Sequence, residues 1–144
     1  MCLDVCRRNI RYGRDKMNLI EAMQIETIDI ENDKYTAVMK LGEFHAQPFG
    51  YVNGGIILAF AEITAGYASN MLGNGNYHAM GQTISGNHMK AKKSDGFLRA
   101  KGELVHHGSR THVWSIRISD ETGKIISMVT VLNALIQQNK KEEA

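Results

Sequence analysis

The chain has 144 residues, of which 43% are hydrophobic and 22% charged, which is typical of one globular domain and excludes a disordered protein. Its net charge of +2, from 17 basic and 15 acidic residues, is too small for nucleic acid to be the main partner. The longest apolar stretch, residues 52–71, is interrupted by five polar residues, so it does not predict a membrane span. Composition therefore predicts a soluble domain with no nucleic-acid or membrane partner.

The first sixteen residues have the composition of a tail. Residues 7–14 carry four arginines, and the only two cysteines, Cys2 and Cys6, lie four positions apart. Two such cysteines exclude a disulfide framework and an all-thiolate zinc site, and free thiols are typical of the reducing cytoplasm. The stretch lacks the apolar core of a secretory signal, so we expect an appended tail, with an amphipathic transit peptide as the alternative. The predicted domain spans residues 17–138, and residues 139–144 form a charged tail.

The first half of the chain predicts a short helix, a strand and one long helix. The short helix falls within residues 16–24, and the strand at residues 35–40 follows a turn at Asn32 and Asp33. The long helix runs from about residue 53 to 70 and would be about 25 Å long at 1.5 Å per residue. It is apolar on almost every side, so we expect it to be buried nearly all round and wrapped by a sheet.

The second half of the chain predicts four strands. In residues 97–105 small and apolar residues alternate with charged ones, which indicates one buried and one wet face. Residues 125–136 are apolar on both faces, as expected of a strand covered on both sides, and a turn at Thr122 and Gly123 precedes them. The pattern predicts an α+β fold. The four strands are His78–Met89, Phe97–Val105, His112–Ser119 and Ile125–Ile136.

Glu62 is the one charged residue within the long helix. A buried carboxylate without a partner is very costly, so its environment must compensate it. It could reach a lysine or a backbone amide, or lie on an exposed strip with Thr64, Ser69 and Asn70. Alternatively, it is a carboxylate held in a cleft for chemistry.

The start of the long helix carries a second unusual feature, two consecutive glycines after Asn53. Asparagine is a preferred N-cap residue, whereas Gly54 and Gly55 lower helix propensity and so indicate a steric requirement. Their backbone N–H groups could approach a ligand closely at the positive end of the helix dipole, which predicts an oxyanion site. The alternative is a turn needed only for tight packing. Neither a P-loop nor a G-x-G-x-x-G pattern is present, and the six histidines have no metal-binding spacing.

Three runs, in this order, carry a family resemblance. They are QPFGYVNGGIILAFAE (residues 47–62), GNHMK (residues 86–90) and HHGSRTHVWSIRISDETGK (residues 106–124). Together they resemble the hotdog-fold acyl-CoA thioesterases, in particular the PaaI-type and 4-hydroxybenzoyl-CoA thioesterase group with a carboxylate on the central helix. The similarity covers about residues 18–136. It implies a hotdog fold, in which an antiparallel sheet wraps around one long central helix.

The resemblance assigns roles to four residues at the reaction centre. Glu62 matches the helix carboxylate that acts as nucleophile or as general base on water, and Gly54 matches the glycine whose backbone N–H polarises the thioester carbonyl. Gln47 matches a side-chain amide that orients the thioester or the water. Asn53 stands where the family commonly has histidine, so we expect it to cap or position only, since it cannot shuttle a proton. Gly66 stands where many relatives have a hydroxyl residue.

The resemblance also implies a substrate site between subunits. Asn87, His88 and Lys90 would border the CoA channel, and Gly108, Ser109 and Arg110 would contact CoA phosphates. Because CoA carries several phosphates, Lys92 and Lys93 are further candidate cations; the alternative for the three lysines is a solvated face. The carboxylate of one subunit would face the Gln and Gly of another, in a homodimer or homotetramer. CoA enters as part of the substrate, and no further cofactor or metal is expected. The alternatives are a non-catalytic acyl-CoA or acyl-carrier binding module and a hydratase or dehydratase.

Overall fold

The computed structural model describes residues 18–138. The two predicted tails, with Cys2 and Cys6, lie outside the described residues, so the domain boundaries stay predictions. In chain order the elements are α1 (Leu19–Ala22), β1 (Ile25–Glu31), β2 (Lys34–Lys40), a 3-10 turn (Glu43–His45), α2 (Gly54–Gly73), β3 (Tyr77–His88), β4 (Phe97–His107), β5 (Thr111–Ser119) and β6 (Ile125–Gln137).

The six strands of the described chain form one antiparallel sheet in the order β1-β2-β4-β5-β6-β3. Helix α2 lies across one face of this sheet and contacts every strand. The predicted α+β hotdog arrangement is therefore confirmed. Strand β1 is an element that the sequence analysis missed. It pairs with β2 through a two-residue turn in which Asn32 and Asp33 have φ of 50° and 58°, as a tight hairpin turn requires.

The core lies between α2 and the sheet. Phe60 and Ala61 of α2 are fully buried, as are Trp114 and Ile116 of β5. The opposite side of α2, including Leu58 and Glu62, is only half-buried. The prediction that the helix is buried nearly all round is therefore wrong for residues 18–138, because one sheet layer can cover only one side of a helix.

The outer face of β6 is partly exposed for the same reason: a single sheet layer has its core on one face only. Val129 and Val131 are buried against the core, whereas Met128 and Leu132 on the other face are half-buried. Within residues 18–138 the strand is thus covered on one side only, and the predicted second cover is not found among these residues. Helix α2 is long and apolar enough to cross a membrane by length and composition alone, a test that the core helix of a soluble protein also passes.

A buried tyrosine fixes α2 against the sheet. The Tyr35 hydroxyl and the Thr64 Oγ1 are 2.8 Å apart, and Oγ1 also donates to the carbonyl oxygen of Phe60 at 2.7 Å. Burial raises the pKa of Tyr35 well above its usual range, so the hydroxyl stays neutral. The Tyr35 ring lies directly over Gly102 of β4, where an added Cβ would stand 2.1 Å from Cε1.

We expect Gly102→Ala to lower the free energy of unfolding by about 3 kcal/mol, because the new methyl group overlaps a buried ring. Chemical denaturation at fixed protein concentration measures the change. Gly42→Ala is the matched control, since Gly42 has no neighbour within 4 Å of the Cβ position and an extended φ of −164°. Equal stabilities for the two variants would contradict this account of the core.

A second buried polar cluster lies at the C-terminal half of α2. Ser69 Oγ accepts hydrogen bonds from Trp114 Nε1 at 2.8 Å and from Asn133 Nδ2 at 3.2 Å, and lies 2.8 Å from His112 Nδ1. Ser69 and Thr64 are both fully buried, so the alternative that they form an exposed strip with Glu62 is wrong. Among the described residues, no group of three His, Cys, Asp or Glu side chains could hold a metal ion.

Burial, and the nearby His107 side chain, lower the pKa of His112 from 6.5 to about 4. The folded state therefore binds fewer protons here than the unfolded state between these two values. We expect stability to be full above pH 6.5 and to fall as the pH drops towards 4, at up to about 1.4 kcal/mol per pH unit from this group. Denaturation of the wild type and His112→Asn at several pH values measures the difference. Parallel pH profiles of the two proteins would contradict this assignment.

Candidate active site

The loop before α2 is held in one conformation by backbone hydrogen bonds. Gly50 N donates to Gln47 O at 3.0 Å and closes a turn around Pro48, and Val52 N donates to Lys92 O at 2.8 Å. Within this turn, the Gln47 Oε1 accepts a hydrogen bond from the backbone N–H of Phe49. The loop therefore uses the carbonyl oxygen of the Gln47 side chain. Its amino group has no hydrogen bond within residues 18–138 and can donate to a ligand.

Helix α2 begins as the sequence predicted. Asn53 is the N-cap residue, and its Oδ1 accepts a hydrogen bond from Gly55 N at 2.9 Å. The Asn53 carbonyl oxygen accepts from Ile56 N at 3.0 Å. The cap therefore uses the Gly55 amide. Of the two glycine amides, only that of Gly54 has no hydrogen-bond partner among the described residues. The predicted pair of free glycine amides is thus reduced to one.

His88 provides the steric reason for glycine at position 54. It lies at the end of β3, and an added Cβ on Gly54 would stand 2.8 Å from its Nε2. The other ring nitrogen, Nδ1, is 2.7 Å from the Oγ of Ser127 on β6. The first turn of α2 is therefore bordered by an imidazole, and any larger residue at position 54 would displace it.

Glu62 lies two turns further along α2, half-buried over the backbone of β3. An added Cβ on Gly81 would stand 2.2 Å from the Glu62 Oε1, at the point where the pairing of β3 is interrupted between Gly81 and Thr83. No side chain or amide within residues 18–138 forms an ion pair or hydrogen bond with this carboxylate. A partner lysine or amide from the same described chain, one of the alternatives, is therefore not found.

A single chain does not bring these residues together. Eight residues separate Gly54 from Glu62, which corresponds to about 12 Å along the helix axis. The Gly54 amide and the Gln47 side chain lie at the start of α2, whereas Glu62 lies on its half-covered side next to β3. Strand β3 is at the edge of the sheet, with no strand of the described chain beyond it.

The residues predicted to bind CoA fall at two opposite ends of the sheet. Asn87 and His88 are the last two residues of β3, and Lys90 follows two positions later, close to the start of α2. Gly108, Ser109 and Arg110 form the turn between β4 and β5, where Arg110 O accepts from Leu135 N at 2.9 Å. Ten residues of β6 separate Ser127, beside His88, from Gln137, beside Ser109, which amounts to about 34 Å.

Lys92 has a structural role. Its Nζ lies 3.2 Å from Glu121 Oε1 and 3.2 Å from Asp95 Oδ1, and also donates to two backbone carbonyl oxygens. Its side chain is only 9% exposed. The expectation that Lys92 is a free cation for phosphate is therefore wrong, because acidic groups of the loop after β3 and the turn after β5 already neutralise it.

Lys90 has a cationic neighbour that the sequence analysis missed. The ammonium group of Lys124, in the turn before β6, lowers the pKa of Lys90. The sequence predicted this turn but not that it lies beside residue 90, which depends on the pairing of β3 with β6. Asp120 also acts on Lys90, so this end of the molecule carries two lysines and one carboxylate.

A long apolar helix across a six-stranded antiparallel sheet is the arrangement of the hotdog fold. Comparison with known proteins agrees. The sequence profile of the family described as Thioesterase superfamily matches residues 49–127. The chain is 32% identical over 124 residues to the 1,4-dihydroxy-2-naphthoyl-CoA hydrolase of Listeria monocytogenes, covering 86% of this chain and 100% of that protein.

Two further proteins are similar over most of their length. ComA2 of Bacillus subtilis, named as an esterase, is 35% identical over 124 residues, covering 85% of this chain and 98% of that protein. The solved structure of yhdA from Lactococcus lactis, described as a thioesterase, matches with a TM-score of 0.83 at 49% identity, covering 85% of this chain and 100% of that one. The chain belongs to the thioesterase superfamily and is a thioester hydrolase.

Proposed function

We propose that the chain hydrolyses acyl-CoA thioesters at a site formed between two copies, in which Glu62 of one copy faces Gly54 and Gln47 of the other. The observation that carries the proposal is Glu62 itself. It is a half-buried carboxylate with no partner in residues 18–138, on the side of α2 that its own sheet leaves uncovered. A carboxylate without a partner beside an apolar helix face is a candidate for chemistry.

The open edge of β3 supports a second copy as the missing cover. An edge strand of 12 residues exposes a row of unpaired backbone groups, which natural proteins usually pair, cover or protect. Met80 and Ile84 of this strand are 61% and 38% exposed, and Met71 of α2 is 43% exposed. Pairing of two β3 strands would cover these apolar side chains and bring the α2 helices of both copies towards each other.

The chemistry follows from the groups at the two halves of this site. Attack on the thioester carbon builds negative charge on the carbonyl oxygen, and the free Gly54 N–H at the positive end of α2 stabilises it. The amino group of Gln47, which the turn leaves free, donates to the thioester or to the attacking water. Glu62 attacks the carbon directly or removes a proton from water. On both routes the thiolate of CoA leaves. After direct attack, water then cleaves the acyl–Glu62 anhydride, and the free acid is released on either route.

CoA phosphates need cations at the mouth of the site. Lys90 and Lys124 stand together at the end of the molecule where α2 begins, and Arg110 with Ser109 stands at the other end, where a second copy could contribute it. Solved proteins of the same fold from Streptococcus pneumoniae and Streptococcus mutans hold coenzyme A and acetyl-CoA, at 24% and 16% identity to this chain. The proposal assigns the same ligand class here, in the cytoplasm and with no further cofactor.

A panel of short, medium, long and aromatic acyl-CoAs tests the proposed function by release of free thiol. Release from at least one member supports hydrolysis. Thermal stabilisation by acyl-CoA without thiol release would instead indicate the binding module. A change in enoyl absorbance without thiol release would indicate hydratase chemistry. Sedimentation of the same protein measures whether two copies associate.

A further inference from the structure

His88 and Ser127 form a pair at the start of α2 whose geometry points beyond the residues already assigned. The His88 ring stands over Gly54, with Nε2 at 2.8 Å from the Cβ position of that residue. Its Nδ1 lies 2.7 Å from the Oγ of Ser127. His88 itself is exposed, whereas Ser127 is fully buried in β6. A buried hydroxyl thus holds an exposed imidazole at the free amide of the helix.

The burial of Ser127 decides which ring nitrogen carries the proton. Within residues 18–138, the only hydrogen-bond partner of Ser127 Oγ is His88 Nδ1. If Nδ1 donated the proton, the hydroxyl hydrogen of a fully buried serine would have no acceptor, which is costly. The hydroxyl therefore donates to Nδ1. A neutral imidazole that accepts at Nδ1 carries its hydrogen on Nε2, the nitrogen that faces Gly54.

We propose that the Nε2–H of His88 is a second donor to the thioester carbonyl oxygen at Gly54, and that Ser127 is the positioning residue that holds it there. This inference rests on the proposed function. An oxygen atom bound to the Gly54 N–H lies at the first turn of α2, the same turn that His88 borders. Two donors from one chain would then stabilise the developing charge, one from the backbone and one from β3. The role is a hydrogen bond only, and no proton is transferred.

The pair also explains how the site functions with asparagine at position 53. Asn53 Oδ1 is already used to cap α2 through Gly55 N, so this side chain offers no imidazole to the substrate. His88, on β3, places an imidazole at the same end of the helix. Because Ser127 and His88 are direct partners across β6 and β3, the orientation of the ring is set by the sheet rather than by a loop.

Kinetics of four variants on the best acyl-CoA of the panel test the inference. We expect His88→Ala to lower kcat about a hundredfold, as loss of one oxyanion donor does, and His88→Gln to recover part of it through its amide N–H. We expect Ser127→Ala to lower kcat about tenfold with little change in KM, as loss of a group that orients a catalytic side chain does. In the His88→Ala background, Ser127→Ala should cause no further loss.

Ser69→Ala is the matched control. It also removes a buried serine hydroxyl that contacts a histidine Nδ1 at 2.8 Å, but about 22 Å further along α2. We expect it to lower the melting temperature while kcat stays within about twofold of the wild type. Nitrogen NMR of the His88 ring measures its tautomer, which would not change if Ser127 had only a structural role. The wild type should carry the hydrogen on Nε2, and Ser127→Ala should show a mixture of both tautomers.

The outcomes separate this inference from the proposed function. No thiol release by the wild type on any acyl-CoA overturns the proposed function, and with it the catalytic role of His88. Thiol release by the wild type with unchanged kcat in His88→Ala or in Ser127→Ala overturns only the inference. A wild-type ring with its hydrogen on Nδ1 also overturns it. The tautomer of the wild-type ring and the kcat of His88→Ala therefore test the inference even if Ser127→Ala does not fold.

Discussion

Glu62→Gln is expected to lower kcat about a thousandfold, because the amide is neither a nucleophile nor a general base and general-base effects alone reach 10²–10⁴. The shape of the side chain is kept. Within residues 18–138 no ion pair or hydrogen bond to Glu62 is lost, so the melting temperature should stay close to that of the wild type. Thiol release and thermal unfolding of the same preparation measure both quantities.

Glu103→Gln is the control for removal of a negative charge. Glu103 is exposed on β4, opposite Lys34 across the sheet, and is not part of the site. Its variant should release thiol at the wild-type rate. A Glu62→Gln protein that retains a tenth or more of the wild-type kcat would show that another group performs the attack. The proposed function would then lose the observation on which it stands.

Mixing two inactive variants is expected to restore about a quarter of the wild-type activity, because half of randomly paired dimers are mixed and each mixed dimer has one intact site of two. The variants are Glu62→Gln and Gln47→Glu. The second keeps an oxygen that accepts from Phe49 N but replaces the donating amino group. Its activity alone should therefore be low while the turn around Pro48 is preserved.

This experiment tests the site between copies independently of the chemistry. The two proteins are unfolded together, refolded at equal concentrations and assayed for thiol release. Glu62→Gln refolded with a Glu62→Gln/Gln47→Glu double variant is the control, since no pairing of these chains gives an intact site. If the first mixture has no more activity than its components, the groups of one site come from one chain. The 12 Å separation along α2 would then have to be closed in another way.

Several features of the site could be predicted from local sequence. The N-cap role of Asn53 follows from one residue and the two amides after it, and the structure confirms it. The turn at Thr122 and Gly123 is likewise local. Asp120 Oδ1 accepts from Thr122 N and Lys124 N, and Gly123 has a φ of 86°. Such features depend on chain neighbours alone, which is why patterns of a few residues identify them.

Other features depend on which strands are neighbours. Ser127 gave no signal in the sequence, since its importance comes only from lying opposite His88 across β3 and β6. Lys92 looked like a free cation until Glu121 and Asp95 were found beside it. Strand β1 was missed because an irregularity between Ile25 and Thr27 places its two buried residues, Ile25 and Ile28, three positions apart, which breaks the alternation expected of a strand. Long-range pairing was needed in each case.

By itself, the sequence determined the α+β element order after residue 34 and the start of α2, because helix caps and alternation are encoded locally. It also gave Glu62, Gly54 and Gln47 as candidate residues, through local chemistry and the motifs of the family resemblance. Only the tertiary structure decided that His88 and Ser127 meet at Gly54, that the Gly55 amide is occupied, and that Glu62 lies on an uncovered side of α2 beside the open edge of β3. These facts follow from packing a helix against one sheet layer. Such packing joins residues far apart in sequence and leaves one side of the helix uncovered by residues 18–138.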